Sequence, residues 1–224
     1  MAPVPLIVLV GATVLWAVLK FLNRRRLIRV LFWTWGVVVF VAASSLMAAH
    51  VYALPKPDAA DEAMGRALNQ LRSASDKDRW LVVHVLYAEC KCSRRIVDHL
   101  ATSNRVAGVS EKLLLVGNRA ELDVRLREIE GRGFPIVKTS SAALRDHFHV
   151  QAAPLLLVIA PDGSVRYAGG YTDRKQGLDV RDVSIVRDLV ASGTATELPL
   201  FGCATSKELQ RLLDPLALRA RSNP

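Results

Sequence analysis

Two long apolar runs open the chain. Residues 4–19 (VPLIVLVGATVLWAVL) carry no charged side chain, and the run extends to Leu22 if the Lys20 ammonium snorkels. Residues 30–54 form a longer run broken by nothing stronger than His50. Each is near the about 20 residues needed to cross a hydrocarbon core, so the pattern predicts a transmembrane hairpin with spans 4–22 and 30–54. Beyond residue 54 the pattern changes to short segments. Pro55-Lys56-Pro57 reads as a stiff linker, and Asp58 or Asp61 can cap a helix running to about Ser73. Residues 80–87 (WLVVHVLY) are continuously apolar and rich in β-branched side chains, as a central strand covered on both faces requires. Helix 93–105, strand 112–116, helix 121–130, a short strand at Ile136-Val137 and helix 142–148 follow. Residues 154–160 and 164–169 read as two strands joined by the turn Pro161-Asp162-Gly163, an antiparallel hairpin. Helices over 180–191 and 206–213 complete the chain. Alternating strands and helices predict an α/β fold with a central mixed sheet flanked by helices.

Composition supports the division. Of the 224 residues 51% are hydrophobic, and the mean hydropathy of +0.22 is high for a soluble domain. The net charge of +9 is uneven: Lys20, Arg24, Arg25, Arg26 and Arg29 supply five positive charges in residues 1–54, which hold no acid. The positive-inside rule makes residues 23–29 a cytoplasmic loop and puts both ends of the hairpin, with the domain after it, on the outer side of a bacterial inner membrane. A second reading treats Asn23 to Arg29 as a twin-arginine signal and Val51-Tyr52-Ala53 as a cleavage site; both readings export the domain. In the exported part, Lys and Arg are scattered among acids without a basic, aromatic-interleaved stripe, which argues against nucleic-acid binding.

The most distinctive chemistry lies in Cys90-Lys91-Cys92, directly after the first strand, and in Ala153-Pro154, which opens the hairpin. The order of elements, these cysteines and the stretch from Ala152 to Tyr171 resemble the thioredoxin superfamily, particularly its membrane-tethered extracytoplasmic members. The resemblance covers about residues 58–192, leaving 193–224 as a carboxy-terminal extension carrying Cys203. It implies a thioredoxin-like fold with redox cysteines at the start of a helix and a cis-proline, Pro154, beside them. The chain departs from the family at two places: Cys-x-Cys replaces Cys-x-x-Cys, and His84 stands where a buried acid is usual, six residues before Cys90. His84 is either a proton acceptor for a buried thiol or a strand histidine satisfied by a backbone partner.

Cysteines at a helix amino terminus gain thiolate character, and Lys91, Arg94 and Arg95 add positive charge. A ring closed between Cys90 and Cys92 is tight. Cys203, in Phe201-Gly202-Cys203, is either an inert buried thiol or a third member of the site, since ten extended residues from Gly193 span about 33 Å. Three functions compete. In the first, the protein is a thiol-disulfide oxidoreductase in which Cys90 attacks a client disulfide, Cys92 or Cys203 resolves the product, and Pro154 shapes the peptide-binding edge. Its partners are then exported or membrane proteins with thiols or disulfides and a membrane electron donor. In the second, Cys90, Cys92 and Cys203, with His84 as a further candidate ligand, hold copper or zinc, and the protein is a metal carrier or metal-site assembly factor. In the third, the domain is a redox-inactive docking scaffold. His99, His147 and His149 read as surface, capping or partly packed residues, and Gly169-Gly170 as a strand end or bulge.

Overall fold

The computed structural model describes residues 24–175 and 177–213. It divides into two compact units that part after Val51.

The first unit is the helix α1 (Arg24–Val51). Within it, Arg25–Ser44 is long and apolar enough to cross a membrane by length and composition. Its apolar side chains point outward on every side, Phe32, Trp33, Trp35 and Phe40 among them, and a helix that is apolar all round asks for an apolar surrounding. The expected loop at 23–29 is corrected here. The helix already begins at Arg24, so Arg24, Arg25, Arg26 and Arg29 lie in its first two turns. No proline or glycine interrupts that stretch, and arginine is a good helix former. The helix thus overlaps the expected second span, 30–54, and takes in most of the expected loop, while the expected first span at 4–22 lies outside the described residues.

The second unit starts at Tyr52. Helix α2 (Glu62–Asn69) is capped by Asp61, whose Oδ1 accepts the Ala63 N–H at 2.9 Å and the Met64 N–H at 3.2 Å. The chain then runs through β1 (Leu81–Tyr87), α3 (Lys91–Thr102), β2 (Ser110–Val116), α4 (Asp123–Gly131), β3 (Ile136–Thr139) and α5 (Ser141–Phe148). Two residues, β4 (Ala152–Ala153), precede β5 (Leu155–Ile159) and β6 (Val165–Gly169), and α6 (Asp182–Ser192) follows. A last pair of short elements, β7 (Cys203–Ala204) and α7 (Lys207–Leu213), ends the described chain.

Five strands form one sheet in the order β3-β2-β1-β5-β6. β1, β2 and β3 are parallel, while β5 runs against β1 and β6 against β5. Central β1 is buried on both faces, which explains its unbroken apolar run. Val82 and Leu86 face a core built with α3, α4 and α6; Leu81, Val83 and Val85 face another built with α2, α5 and α7. Gly163, at φ +87°, makes the turn between β5 and β6 that Pro-Asp-Gly predicted.

The carboxy-terminal segment is not an appendage, so no structural break falls at residue 192. Leu198 and Leu200 are buried. The Leu198 N–H donates to the Tyr167 hydroxyl at 3.2 Å, the Gly170 N–H donates to the Leu198 carbonyl at 3.1 Å, and the Leu54 N–H donates to the Leu200 carbonyl at 2.7 Å. A Cβ on Gly170 would overlap the Pro199 carbonyl. Gly169 ends β6, as its reading as a strand end has it, and Gly169-Gly170 is in addition the floor over which this segment crosses.

Candidate redox site

β1 delivers the chain to the amino end of α3, where Cys90 is the N-cap residue. The turn is held by the Cys90 N–H donating to the Tyr87 carbonyl at 2.9 Å and by the Tyr87 N–H donating to Ser93 Oγ at 3.0 Å. Cys90 is fully buried. Its sulfur lies 3.8 Å from the Ala153 carbonyl oxygen and is joined in a disulfide to Cys203, 113 residues later, across a Cα separation of 5.9 Å. Of the two partners left open for Cys90, Cys203 is the one bonded to it and Cys92 is not, and Cys203 belongs to the site instead of being an inert buried thiol. Side chains two apart at a helix start diverge, whereas β7 lays Cys203 alongside Cys90. Cys92 is a half-buried free thiol.

Beside the disulfide is a cleft of about 220 Å³ whose walls include Lys91, Cys92, Arg95, Pro154, Tyr171 and Phe201. The Ala153–Pro154 peptide is cis. Lys91 and Arg95 give this cleft a positive side, while Arg94 is turned away to Glu121 at 3.3 Å. The unsatisfied N–H groups of α3, a 12-residue helix, converge on Cys90, so a thiolate released there is stabilised.

His84 is buried behind this cleft, with both ring nitrogens engaged: Nδ1 to the Tyr171 hydroxyl at 2.9 Å and Nε2 to Glu111 Oε2 at 2.9 Å. Side chains, not a backbone group, satisfy it, and no nitrogen remains to accept a proton directly from Cys90. Burial, and then the nearby Asp182 charge, push the Tyr171 phenol well above its ordinary range, so it keeps its proton. The same hydroxyl also lies 3.5 Å from the Leu155 carbonyl oxygen, to which it can donate. The Tyr171 ring stacks at 22° on His84 and also lines the cleft, connecting the two.

The network continues inward. Arg105 Nε donates to Glu111 at 3.0 and 3.1 Å, its Nη2 donates to the same carboxylate, and its Nη1 donates to Asp182 Oδ2 at 2.7 Å. His99 Nε2 pairs with Asp182 Oδ1 at 2.9 Å. His99 is thus a partner of a fully buried carboxylate, more than the partly packed helix residue anticipated. Burial alone would raise the Glu111 and Asp182 carboxyls, but hydrogen bonds from the histidines and the Arg105 charge outweigh it and hold both below the usual carboxylate range. Groups with depressed folded-state pKa stabilise the fold above their unfolded value of about 4 and lose that contribution as pH falls through the folded value. The urea midpoint is therefore expected to stay level from pH 7 to about 5 and to fall below about pH 4. Glu111→Gln is expected to flatten part of that acid limb, measured as urea midpoints across the pH range.

Sequence reasoning missed Glu111, Arg105, Asp182, Tyr171 and Phe201. The available signal was parity: Glu111 is in phase with Leu113 and Leu115, which face the core, so an acid there is buried and needs a partner. His149, at φ +53°, ends α5 and pairs with Asp61, away from the cysteines. The copper or zinc set of Cys90, Cys92 and Cys203 is not presented while two of the sulfurs share a bond. Among the described residues no group of three His, Cys, Asp or Glu side chains is placed to hold a metal ion.

Sheet order, the cysteine capping the helix after the central strand, and Pro154 beside it define a thioredoxin-like fold. No protein-family model and no curated protein matches the sequence. Among solved structures, the chain is similar to a hypothetical protein from Sinorhizobium meliloti 1021 (17% identity, 70% of this chain and 91% of that one, TM-score 0.40). An uncharacterized conserved protein from Geobacillus kaustophilus shares 16% identity over 58% of this chain and 77% of its own, with a TM-score of 0.39. The thioredoxin domain of a thiol-disulfide oxidoreductase from Bacteroides vulgatus shares 18% identity over 42% of this chain and 72% of its own, with a TM-score of 0.30.

Proposed function

We propose that this protein is a membrane-tethered, extracytoplasmic thiol-disulfide oxidoreductase whose working pair is Cys90 and Cys203. The observation that carries this reading is the disulfide between the N-cap cysteine of α3 and a cysteine held against the Ala153-Pro154 edge. Cys90 is the better leaving group of the two, because the amino end of α3 stabilises its thiolate. An incoming client thiolate attacks the Cys90 sulfur and expels Cys203 as thiolate, which takes up a proton; a second client thiolate then attacks the client sulfur, closes the client disulfide and releases Cys90 as thiolate. The reverse sequence reduces a client. Tyr171 and His84 position the cleft wall, and Lys91 and Arg95 favour thiolate within it. The apolar helix α1 serves as the anchor, with exported or membrane proteins as clients.

Mixing the oxidised full chain in detergent with a reduced test protein, and counting thiols on each, tests the assignment. The wild type and Cys92→Ser are expected to exchange, and Cys90→Ser is expected not to. Exchange that survives Cys90→Ser, or none in the wild type, would overturn it.

A further inference from the structure

The oxidoreductase reading leaves open what sequence a client must present, and the carboxy-terminal segment carries that information. β4 is not part of the five-stranded sheet; its strand partner is β7, with Ala152 opposite Ala204 and Ala153 opposite Cys203 in antiparallel register. The Thr205 N–H extends the ladder by donating to the Gln151 carbonyl at 2.7 Å. An extended segment added to a short free edge, with its cysteine covalently on Cys90, is the arrangement a bound client strand would adopt.

We infer that residues Phe201-Gly202-Cys203-Ala204 are a built-in copy of the client, and that the β4 edge binds extended peptides with glycine immediately before the reacting cysteine. This rests on the oxidoreductase reading and adds a sequence requirement to it. The requirement comes from space. A Cβ on Gly202 would overlap the Ala153 carbonyl oxygen and lie 2.6 Å from its carbonyl carbon and from Pro154 Cδ. Both obstacles are backbone or ring atoms that cannot swing aside. The flanking positions have their own pockets: Phe201 sits in the wall of the cleft with Cys92, Pro154 and Tyr171, and Ala204 is buried in the core beside Leu200 and Leu209. The edge therefore reads aromatic, glycine, cysteine, small apolar.

The same edge cannot hold the client and the chain's own segment together, which orders the reaction. In the reduced protein the Cys90 thiolate attacks the client's cysteine sulfur, forming the Cys90–client bond and expelling the client's other sulfur, which takes up a proton. Cys203 then gives up its proton and attacks the Cys90 sulfur. The Cys90–Cys203 bond forms, the client cysteine leaves as thiolate, and segment 201–204 reoccupies β4. The client gains two electrons and the Cys90/Cys203 pair loses two.

The test uses the full chain in detergent as Cys92→Ser/Cys203→Ser, so that Cys90 is the one thiol. Two peptides, Leu-Phe-Gly-Cys-Ala and Leu-Phe-Ala-Cys-Ala, are each activated as the mixed disulfide with an aromatic thiol, whose release is followed by absorbance. The glycine peptide is expected to react about tenfold faster or more, the size of effect a rigid overlap produces. Adding Gly202→Ala, which loosens the chain's own segment, is expected to speed the glycine peptide several-fold and leave the alanine peptide slow. Equal rates for the two peptides in both variants, with Cys90 reacting normally toward the small aromatic disulfide alone, would overturn this inference and leave the oxidoreductase reading standing. A Cys90 inert toward the aromatic disulfide as well would sink both.

Discussion

Reduction of the Cys90–Cys203 disulfide, or the substitution Cys203→Ser, is expected to lower the unfolding free energy of the domain by about 5 kcal/mol. The bond closes a loop of 113 residues, and the loss of unfolded-chain entropy for a loop of that length corresponds to about 5 kcal/mol. For a domain of this size that is a fall of roughly 10–20 °C in melting temperature. Cys92→Ser is expected to leave the melting temperature unchanged under oxidising conditions. The contrast is diagnostic, because a ring between Cys90 and Cys92 would constrain so few residues that breaking it would cost under about 2 kcal/mol. Thermal scans with and without reductant on the wild type and both serine variants decide the pairing. A wild type indifferent to reductant, or a large loss in Cys92→Ser, would contradict it.

The second large effect concerns Arg105. Its guanidinium bridges two carboxylates, Glu111 and Asp182, that are almost entirely buried. Arg105→Met keeps much of the side-chain volume but leaves both acids with histidines as their remaining partners. Removing one member of a buried ion pair commonly costs about 3–5 kcal/mol, and a change of that order is expected here. The deficit should be pH-dependent in a particular direction. Without the arginine the two carboxyls become easier to protonate in the folded state, so acidification relieves their repulsion and the gap to wild type narrows from pH 7 toward pH 4. Urea midpoints at the two values measure this. A gap that is constant with pH would mean that Arg105 acts through packing, including its position 5.7 Å over the Phe134 ring, more than through charge.

Both effects involve residues that the sequence displays unequally. The central strand and the antiparallel hairpin were readable because residues 81–87 and 155–159 are apolar and the turn at Asp162-Gly163 is a strong signal. Cys90, Cys92 and Pro154 announced themselves through their places relative to those strands. The partner of Cys90 did not, because pairing across 113 residues depends on where the chain returns after α6, and that return is set by Leu198 and Leu200 finding the core. The ion network was hidden for a related reason. Arg105 lies in the loop between α3 and β2 and Asp182 opens α6, places without a periodic pattern to read, and only the packing of α3 and α6 on one face of the sheet brings them to His84, His99 and Glu111. In the amino-terminal unit hydropathy located an apolar segment but not its start, since arginine continues a helix as readily as it populates a loop.

The separation of Cys90 from Cys203 also imposes a timetable on biogenesis. At a synthesis rate of about 5–20 residues per second, the 113-residue separation takes roughly 6–23 seconds to be made. During that interval Cys90 exists as a nascent thiol with Cys92 two positions away as the sole intramolecular alternative. The chain is therefore exposed to mispairing early in its life, and arrival of the native partner requires displacement of any premature ring. Maturation in an oxidising compartment is expected to be limited by that reshuffling.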